Sequence, residues 1–174
     1  MPSIGQPAPQ FTAQAVVDGG DFKEISLSDY KGKTVVLYFY PLDFTFVCPT
    51  EITQFRDNVA AFNDLGAEVI GCSVDSVFSH KKWIADDLGD LHYPLIGDIT
   101  KQVSRDYGVL LADKGIATRG TFIIDPEGVI QYMGIHNLNI GRDCKEILRV
   151  VQALKTGELC GAGWKNGDKH IDVK

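Results

Sequence analysis

Short apolar runs alternate with amphipathic stretches along the chain, and the alternation predicts strands separated by helices. Residues 34–40 (TVVLYFY) are β-branched and aromatic, the pattern of a strand buried on both faces. From residue 49 to about 64 the period changes. Ile52, Phe55, Val59 and Phe62 recur at helical spacing, and Gly66 ends the helix. Residues 68–74 (EVIGCSV) predict a second buried strand, and 78–88 a second helix. A short strand at 93–96 and a short helix at 101–107 follow. Residues 121–125 and 129–132 flank Pro126-Glu127-Gly128 as a hairpin. A last amphipathic helix runs from about 142 to 155 and stops at Gly157. Ahead of all these, residues 11–27 read as a hairpin around Gly19-Gly20.

This order calls for an α/β architecture: a mixed, mostly parallel central sheet flanked by helices and finished by an antiparallel hairpin, with the N-terminal β-hairpin added. Thioredoxin-like folds fit it. At 174 residues the chain is expected to form a single domain, 1–174, with residues 157–174 as a flexible glycine-rich tail. In open α/β sheets the reactive site lies at the carboxyl ends of the strands. Cys48 falls there. Pro41 ends the strand because it cannot donate to a ladder, Pro49 suits a first helical position, and Glu51 suits the positive end of the helix. A thiol at that helix start meets free backbone N–H groups, and such positions favour the nucleophilic thiolate.

Composition narrows the function. A formal charge of −6 argues against nucleic acid or an anionic membrane as the main partner. No apolar run approaches a transmembrane span, and the first residues carry neither a basic nor an apolar signal region, so a cytoplasmic protein is expected. The cysteines (48, 72, 144, 160) form no CxxC pair and the histidines (80, 92, 136, 170) no HExxH, so neither a metal nor another cofactor is expected. Cys72 sits in an apolar strand and Cys144 on a helical face with Ile147, Leu148 and Val151; both read as core, as does Trp83. Cys160, between glycines in the tail, suits a thiol that attacks an oxidised Cys48; the plainer alternative is a bystander surface thiol. Arg119, beside Gly120 at a strand mouth, is either a surface charge or the cation that holds the thiolate. Glu51 and Arg142 are equally compatible with ordinary charge placement at helix ends.

Pro41-x-x-x-Thr45-x-x-Cys48, within FYPLDFTFVCPTE, resembles the active-site segment of typical 2-Cys peroxiredoxins, the group of thioredoxin peroxidases and alkyl hydroperoxide reductase C. The likeness extends to residues 117–122 (ATRGTF), to Gly141-Arg142 and to the tail from Cys160 to Trp164. It implies a thioredoxin-like fold and a peroxidatic role for Cys48, with Thr45, Arg119 and Pro41 completing the peroxide site. Glu51 and Arg142 would orient Arg119. Cys160 would be the resolving cysteine, reaching Cys48 of a second subunit. The resemblance further implies recycling by a thioredoxin-like or dedicated disulfide reductant, and an antiparallel homodimer, often assembled into a decameric ring.

The chain departs from the family pattern in three places. Residues 86–91 (DDLGDL) stand where members prone to overoxidation carry Gly-Gly-Leu-Gly, the chain has no room for their full C-terminal extension, and Gly161 follows the resolving position where proline is usual. The first two lead us to expect resistance to hyperoxidation. Other thiol chemistries fit less well. Glu51 occupies the partner position of a CxxC oxidoreductase, and Gln54 stands where a cysteine phosphatase needs its arginine. A non-catalytic holdase remains the alternative outside enzymes.

Overall fold

The computed structural model describes residues 2–173. Its strands are β1 (Thr12–Val16), β2 (Phe22–Ser26), β3 (Thr34–Phe39), β4 (Ala67–Ser73), β5 (Leu95–Gly97), the short pair β6 (Leu110–Leu111) and β7 (Ile116–Ala117), then β8 (Arg119–Ile124) and β9 (Ile130–His136). Four α-helices separate them: α1 (Cys48–Asp64), α2 (Val77–Trp83), α3 (Gln102–Asp106) and α4 (Cys144–Thr156). Seven strands form one sheet in the order β2-β1-β5-β4-β3-β8-β9. The parallel pairs, β5–β4 and β4–β3, lie at its middle, and antiparallel pairs flank them on either side. The N-terminal hairpin is β1–β2.

Strand β3 joins the two cores on either face of the sheet. All six of its residues are buried, and their side chains alternate between two cores. Val36 and Tyr38, continued by Tyr40, face α1 and α4, where they meet Ile52, Phe55, Ile147 and Val151. Val35, Leu37 and Phe39 face the opposite side, against Phe11, Ile25, Val103, Tyr107 and Phe122. Polar groups inside are tied rather than stranded. Tyr38 stacks on Phe55 with ring centroids 4.3 Å apart, its hydroxyl meets that of Tyr93 at 2.8 Å, and Tyr93 donates to the Ile52 carbonyl at 2.9 Å. Strand β3 and helix α1 are thereby fixed to each other just beyond the loop that joins them.

Several boundaries differ from the sequence reading. The second helix stops at Trp83 and opens into a wider π turn over Ile84–Leu88, ended by Gly89 at φ 71°. Strand β5 begins at Leu95 rather than residue 93, because Tyr93 is turned inward to its two hydrogen bonds. The pair β6–β7 went unforeseen, and β9 runs on to His136. The last helix starts at Cys144, since Arg142 is drawn away into the interior. The tail has no regular secondary structure, yet it is anchored. Trp164 is buried, its carbonyl accepts from Arg149 of α4 at 2.9 Å, and its ring stacks on His170.

Cys72 and Cys144 are both buried in the two cores, as their strand and helix positions suggest. Burial pushes the Cys72 thiol well above its ordinary value, Asp98 adding to the effect. It pushes Cys144 up to about 12, with Asp143 adding and Arg142 opposing. Each thiol is therefore held protonated in the fold and ionises more easily in the unfolded chain. Their contribution to stability is intact below about pH 8.5, the ordinary thiol value, and is lost as pH rises toward the folded values. Urea midpoints measured across this alkaline range are expected to fall, and to fall less steeply in Cys144→Ala.

Candidate active site

The loop from Tyr40 to Val47 leaves the carboxyl end of β3 and turns directly into α1. Pro41, buried, is its first residue past the sheet-facing Tyr40, and Cys48 opens the helix. Pro49 stands second, one position later than the sequence suggested. The thiol thus lies in the first helical turn, where backbone N–H groups have no intrahelical acceptor. It is closed off from solvent, with an exposure of 1%.

Two arginines converge on this turn, one from β8 and one from the stretch before α4. Residue Tyr38 pairs with Thr121 in antiparallel register, which sets Arg119, at the start of β8, beside the end of β3. Its Nη1 donates to the Cys48 sulfur at 3.3 Å and to Glu51 Oε2 at 2.6 Å, while its Nε donates to the Leu138 carbonyl at 2.8 Å. Glu51 lies one turn along α1 from Cys48, so its carboxylate rises on the same side. Its other oxygen accepts from both the backbone N–H and Nε of Arg142, each at 2.9 Å. Arg142 in turn donates to the Gly120 carbonyl, Thr121 Oγ1 and the Phe39 carbonyl, with its guanidinium 5.1 Å from the Tyr38 ring centre.

All three charged groups are at most 5% exposed. Two guanidinium cations share one carboxylate, which leaves a buried unit of positive charge. Among the described residues, the one sulfur in hydrogen-bond contact with that cluster is Cys48, so a thiolate there would complete the charge balance that Glu51 alone leaves open.

The structure therefore brings together Cys48, Glu51, Arg119 and Arg142. Thr45 lies on the loop, half-buried, with its hydroxyl hydrogen given to the Leu42 carbonyl at 2.9 Å, so its oxygen is left to accept. Cys160 is not brought to Cys48. Its sulfur rests at the C-terminal end of α4, 3.6 Å from Thr156 Oγ1 and 3.9 Å from the Ala153 carbonyl. Two residues escaped the sequence reading altogether, Asp43 and His80, which form a buried pair under the loop with His80 Nδ1 2.8 Å from Asp43 Oδ2. One signal was there: Asp43 is the only charged residue between Lys33 and Glu51.

A family model described as AhpC/TSA family matches residues 4–133. The chain belongs to the AhpC/TSA family. Within it, the chain is 56% identical over 181 residues to the chloroplastic 2-Cys peroxiredoxin BAS1 of Spinacia oleracea, covering 98% of this chain and 68% of that protein. It is 55% identical over 177 residues to peroxiredoxin-2 of Rattus norvegicus, covering 97% and 89%. Among solved structures, reduced 2-Cys peroxiredoxin of Plasmodium vivax superposes with a TM-score of 0.94 at 40% identity, covering 97% of this chain and 92% of that one. Mycobacterium tuberculosis AhpC gives 0.85 at 39%, covering 94% and 98%. The thioredoxin-like α/β fold follows, and this AhpC/TSA member is a thiol-dependent peroxidase, an oxidoreductase. Among the described residues, no helix is long and apolar enough to cross a membrane.

Removing the shared carboxylate should be costly. Glu51→Ala strands two buried guanidinium groups, and losing one partner of a buried ion pair typically costs about 3–5 kcal/mol. Urea denaturation of wild type and variant at neutral pH is expected to differ by that order, whereas Glu146→Ala, an exposed partner of Arg149, is expected to change stability by under about 1 kcal/mol.

Proposed function

We propose that Cys48 is the peroxidatic cysteine of this peroxidase, with Arg119, Thr45 and Pro41 as its peroxide site and Cys160 as the thiol that resolves it. The observation that supports this most is the contact of Arg119 with both the Cys48 sulfur and Glu51, which sets a fixed cation beside a nucleophile. The Cys48 thiolate attacks the terminal oxygen of hydrogen peroxide or an alkyl hydroperoxide. A sulfur–oxygen bond forms, the O–O bond breaks, and the leaving oxygen departs as water or alcohol once it takes a proton. Arg119 stabilises the negative charge as it moves along the O–O bond, and Thr45 accepts a hydrogen bond from the peroxide O–H. Pro41 keeps the loop's start free of a competing backbone donor.

The Cys160 thiol then condenses with the Cys48 sulfenic acid, releasing water and forming a disulfide. A thioredoxin-type dithiol reduces it, returning two thiols and itself becoming a disulfide. A disulfide needs its two Cα atoms within about 7 Å. In the folded site Cys48 is buried at the start of α1, and Cys160 is docked on α4. Resolution therefore takes unwinding of the first turn of α1 and release of residues 157–174 as an arm. The Cys160 partner comes from a second copy of the chain, in an antiparallel homodimer that further assembles into a ring. The setting is cytoplasmic, where a dithiol reductant is renewed. The cycle runs on the two sulfurs without another cofactor.

The segment after α2 ties α1 at Ile52, through Tyr93, and at Arg56, which donates to the Leu88 carbonyl. Both ties lie beyond Cys48, in keeping with the DDLGDL departure, so unwinding of the first turn breaks instead the contacts of Cys48 and Glu51 with Arg119 and Arg142.

Three outcomes are expected. Cys48→Ser abolishes peroxide consumption. Non-reducing gels show a dimer-sized band for wild type that is lost in Cys160→Ser, which also stops turnover with thioredoxin. Under modest peroxide excess with reductant present, mass spectra show Cys48 mainly as disulfide; ready conversion to the sulfinic acid would sink the claim of resistance.

A further inference from the structure

The pair beneath the loop, Asp43 and His80, takes no part in the chemistry described above, yet it is among the most enclosed polar groups in the protein. His80 is fully buried and Asp43 is 7% exposed. The Asp43 carboxyl group meets three side chains: Tyr40 at 2.7 Å on Oδ1, and Ser79 at 2.6 Å and His80 Nδ1 at 2.8 Å on Oδ2. The second ring nitrogen of His80, Nε2, faces the Ile96 carbonyl of β5 at 3.0 Å, and since a carbonyl has no hydrogen to give, Nε2 is the donor. The Tyr40 hydroxyl also lies 3.4 Å from His80 Nδ1. Its ionisation is pushed far up by burial and then by Asp43, so it keeps the hydrogen it gives to Asp43.

Asp43 is also held by its backbone. Its N–H donates to Asp75 Oδ2 at 2.9 Å, and Asp75 is itself fixed by the Ser73 hydroxyl at 2.6 Å. The carbonyl on the other side of that same peptide unit belongs to Leu42, and it is the acceptor of the Thr45 hydroxyl at 2.9 Å. One rigid peptide plane thus links the buried Asp43–His80 pair to the orientation of Thr45 Oγ1. We infer that His80 is a positioning residue for the peroxide site: through Asp43 it locks the Leu42–Asp43 peptide, which directs the Thr45 hydroxyl hydrogen inward and its acceptor lone pairs toward the peroxide. This rests on the reading of Thr45 as a peroxide contact. The relay is separate from the Arg119–Glu51–Arg142 cluster, so it should act on peroxide turnover without altering the nucleophile.

The test uses full-length protein in a Cys160→Ser background, so that Cys48 is the thiol being followed, burial holding the Cys72 and Cys144 thiols protonated in the cores. Two rates are measured: oxidation of Cys48 by hydrogen peroxide in stopped flow, and its alkylation by iodoacetamide. Thr45→Val and His80→Leu are each expected to slow oxidation about tenfold or more while alkylation stays within about twofold. The double variant is expected to be no slower than Thr45→Val alone, the non-additivity of residues acting through one contact. His80→Asn, which keeps a hydrogen-bonding group at the Nδ1 position, is expected to regain most of the loss. Multiplying losses in the double variant, equal slowing of alkylation in His80→Leu, or no rescue by asparagine would each overturn the relay. A full oxidation rate in Thr45→Val overturns instead the reading of Thr45, while Cys48 and Arg119 stand. Should His80→Leu fail to fold, Asp75→Ala frees the same peptide from its other side, and an unchanged oxidation rate there would refute the relay equally.

Discussion

One carboxylate between two buried guanidinium groups sets most of what this molecule does. Glu51 reaches Arg119 from β8 and Arg142 from the stretch before α4, so a single side chain on α1 joins three parts of the chain that are far apart in sequence. Such a cluster is not a cheap source of stability, because taking charges from water costs much of what their attraction returns. Its value lies in geometry. With two cations and one anion enclosed together, the cluster is short by one negative charge, and the Cys48 sulfur sits where that charge is wanted. Depressing a thiol's proton affinity alone would weaken it as a nucleophile. In the proposed mechanism Arg119 also meets the breaking O–O bond, which directs the same charge at the reaction instead.

The outline of the fold was legible from periodicity because β3 and α1 have no competing signals. TVVLYFY offers no polar face, so a central strand is the only place it can be buried, and Ile52, Phe55, Val59 and Phe62 leave only one helical face apolar. The parts that were missed depend on contacts between distant segments. Tyr93 looks like a strand residue, but its hydroxyl is pulled toward Tyr38 and Ile52, and the strand starts two residues later. Arg142 looks like the first turn of a helix, but its pairing with Glu51 drags the backbone out of helical register until Cys144.

The candidate site divides along the same line. Cys48 and its place at a helix start follow from local rules, since Pro41 and Pro49 bracket a strand-to-helix turn. Arg119 stayed ambiguous from sequence, because a cation at a strand mouth is equally at home in water, and only the pairing of Thr121 with Tyr38 carries it inward. His80 was missed for a similar reason. On α2 it stands in the polar run SHKK, and the only local sign that separates it from the exposed lysines beside it is its spacing of three from Trp83, which puts both on one helical face. The lone charge of Asp43 in an apolar loop asked for a buried partner, but which histidine would supply it depends on α2 packing across from the end of β3.

The loop between β3 and α1 thus has two ends held in different ways. At Tyr40–Asp43 it is fastened by the Tyr40 hydroxyl, by Ser79 and His80 of α2, and by Asp75 after β4. At Val47–Cys48 it passes into the first turn of α1, which is held through the contacts of Cys48 and Glu51 with Arg119 and Arg142. The proposed cycle needs both. In it the peroxide must find Thr45 and Arg119 already in place, because electrostatic stabilisation loses its effect if the dipoles must reorganise during the reaction. The sulfenic acid must then leave that enclosure to meet a second thiol. In the proposed cycle the bonds at Tyr40–Asp43 stay made while the Arg119 contacts of Cys48 and Glu51 open, so that one short segment serves both steps as long as the opening stays local.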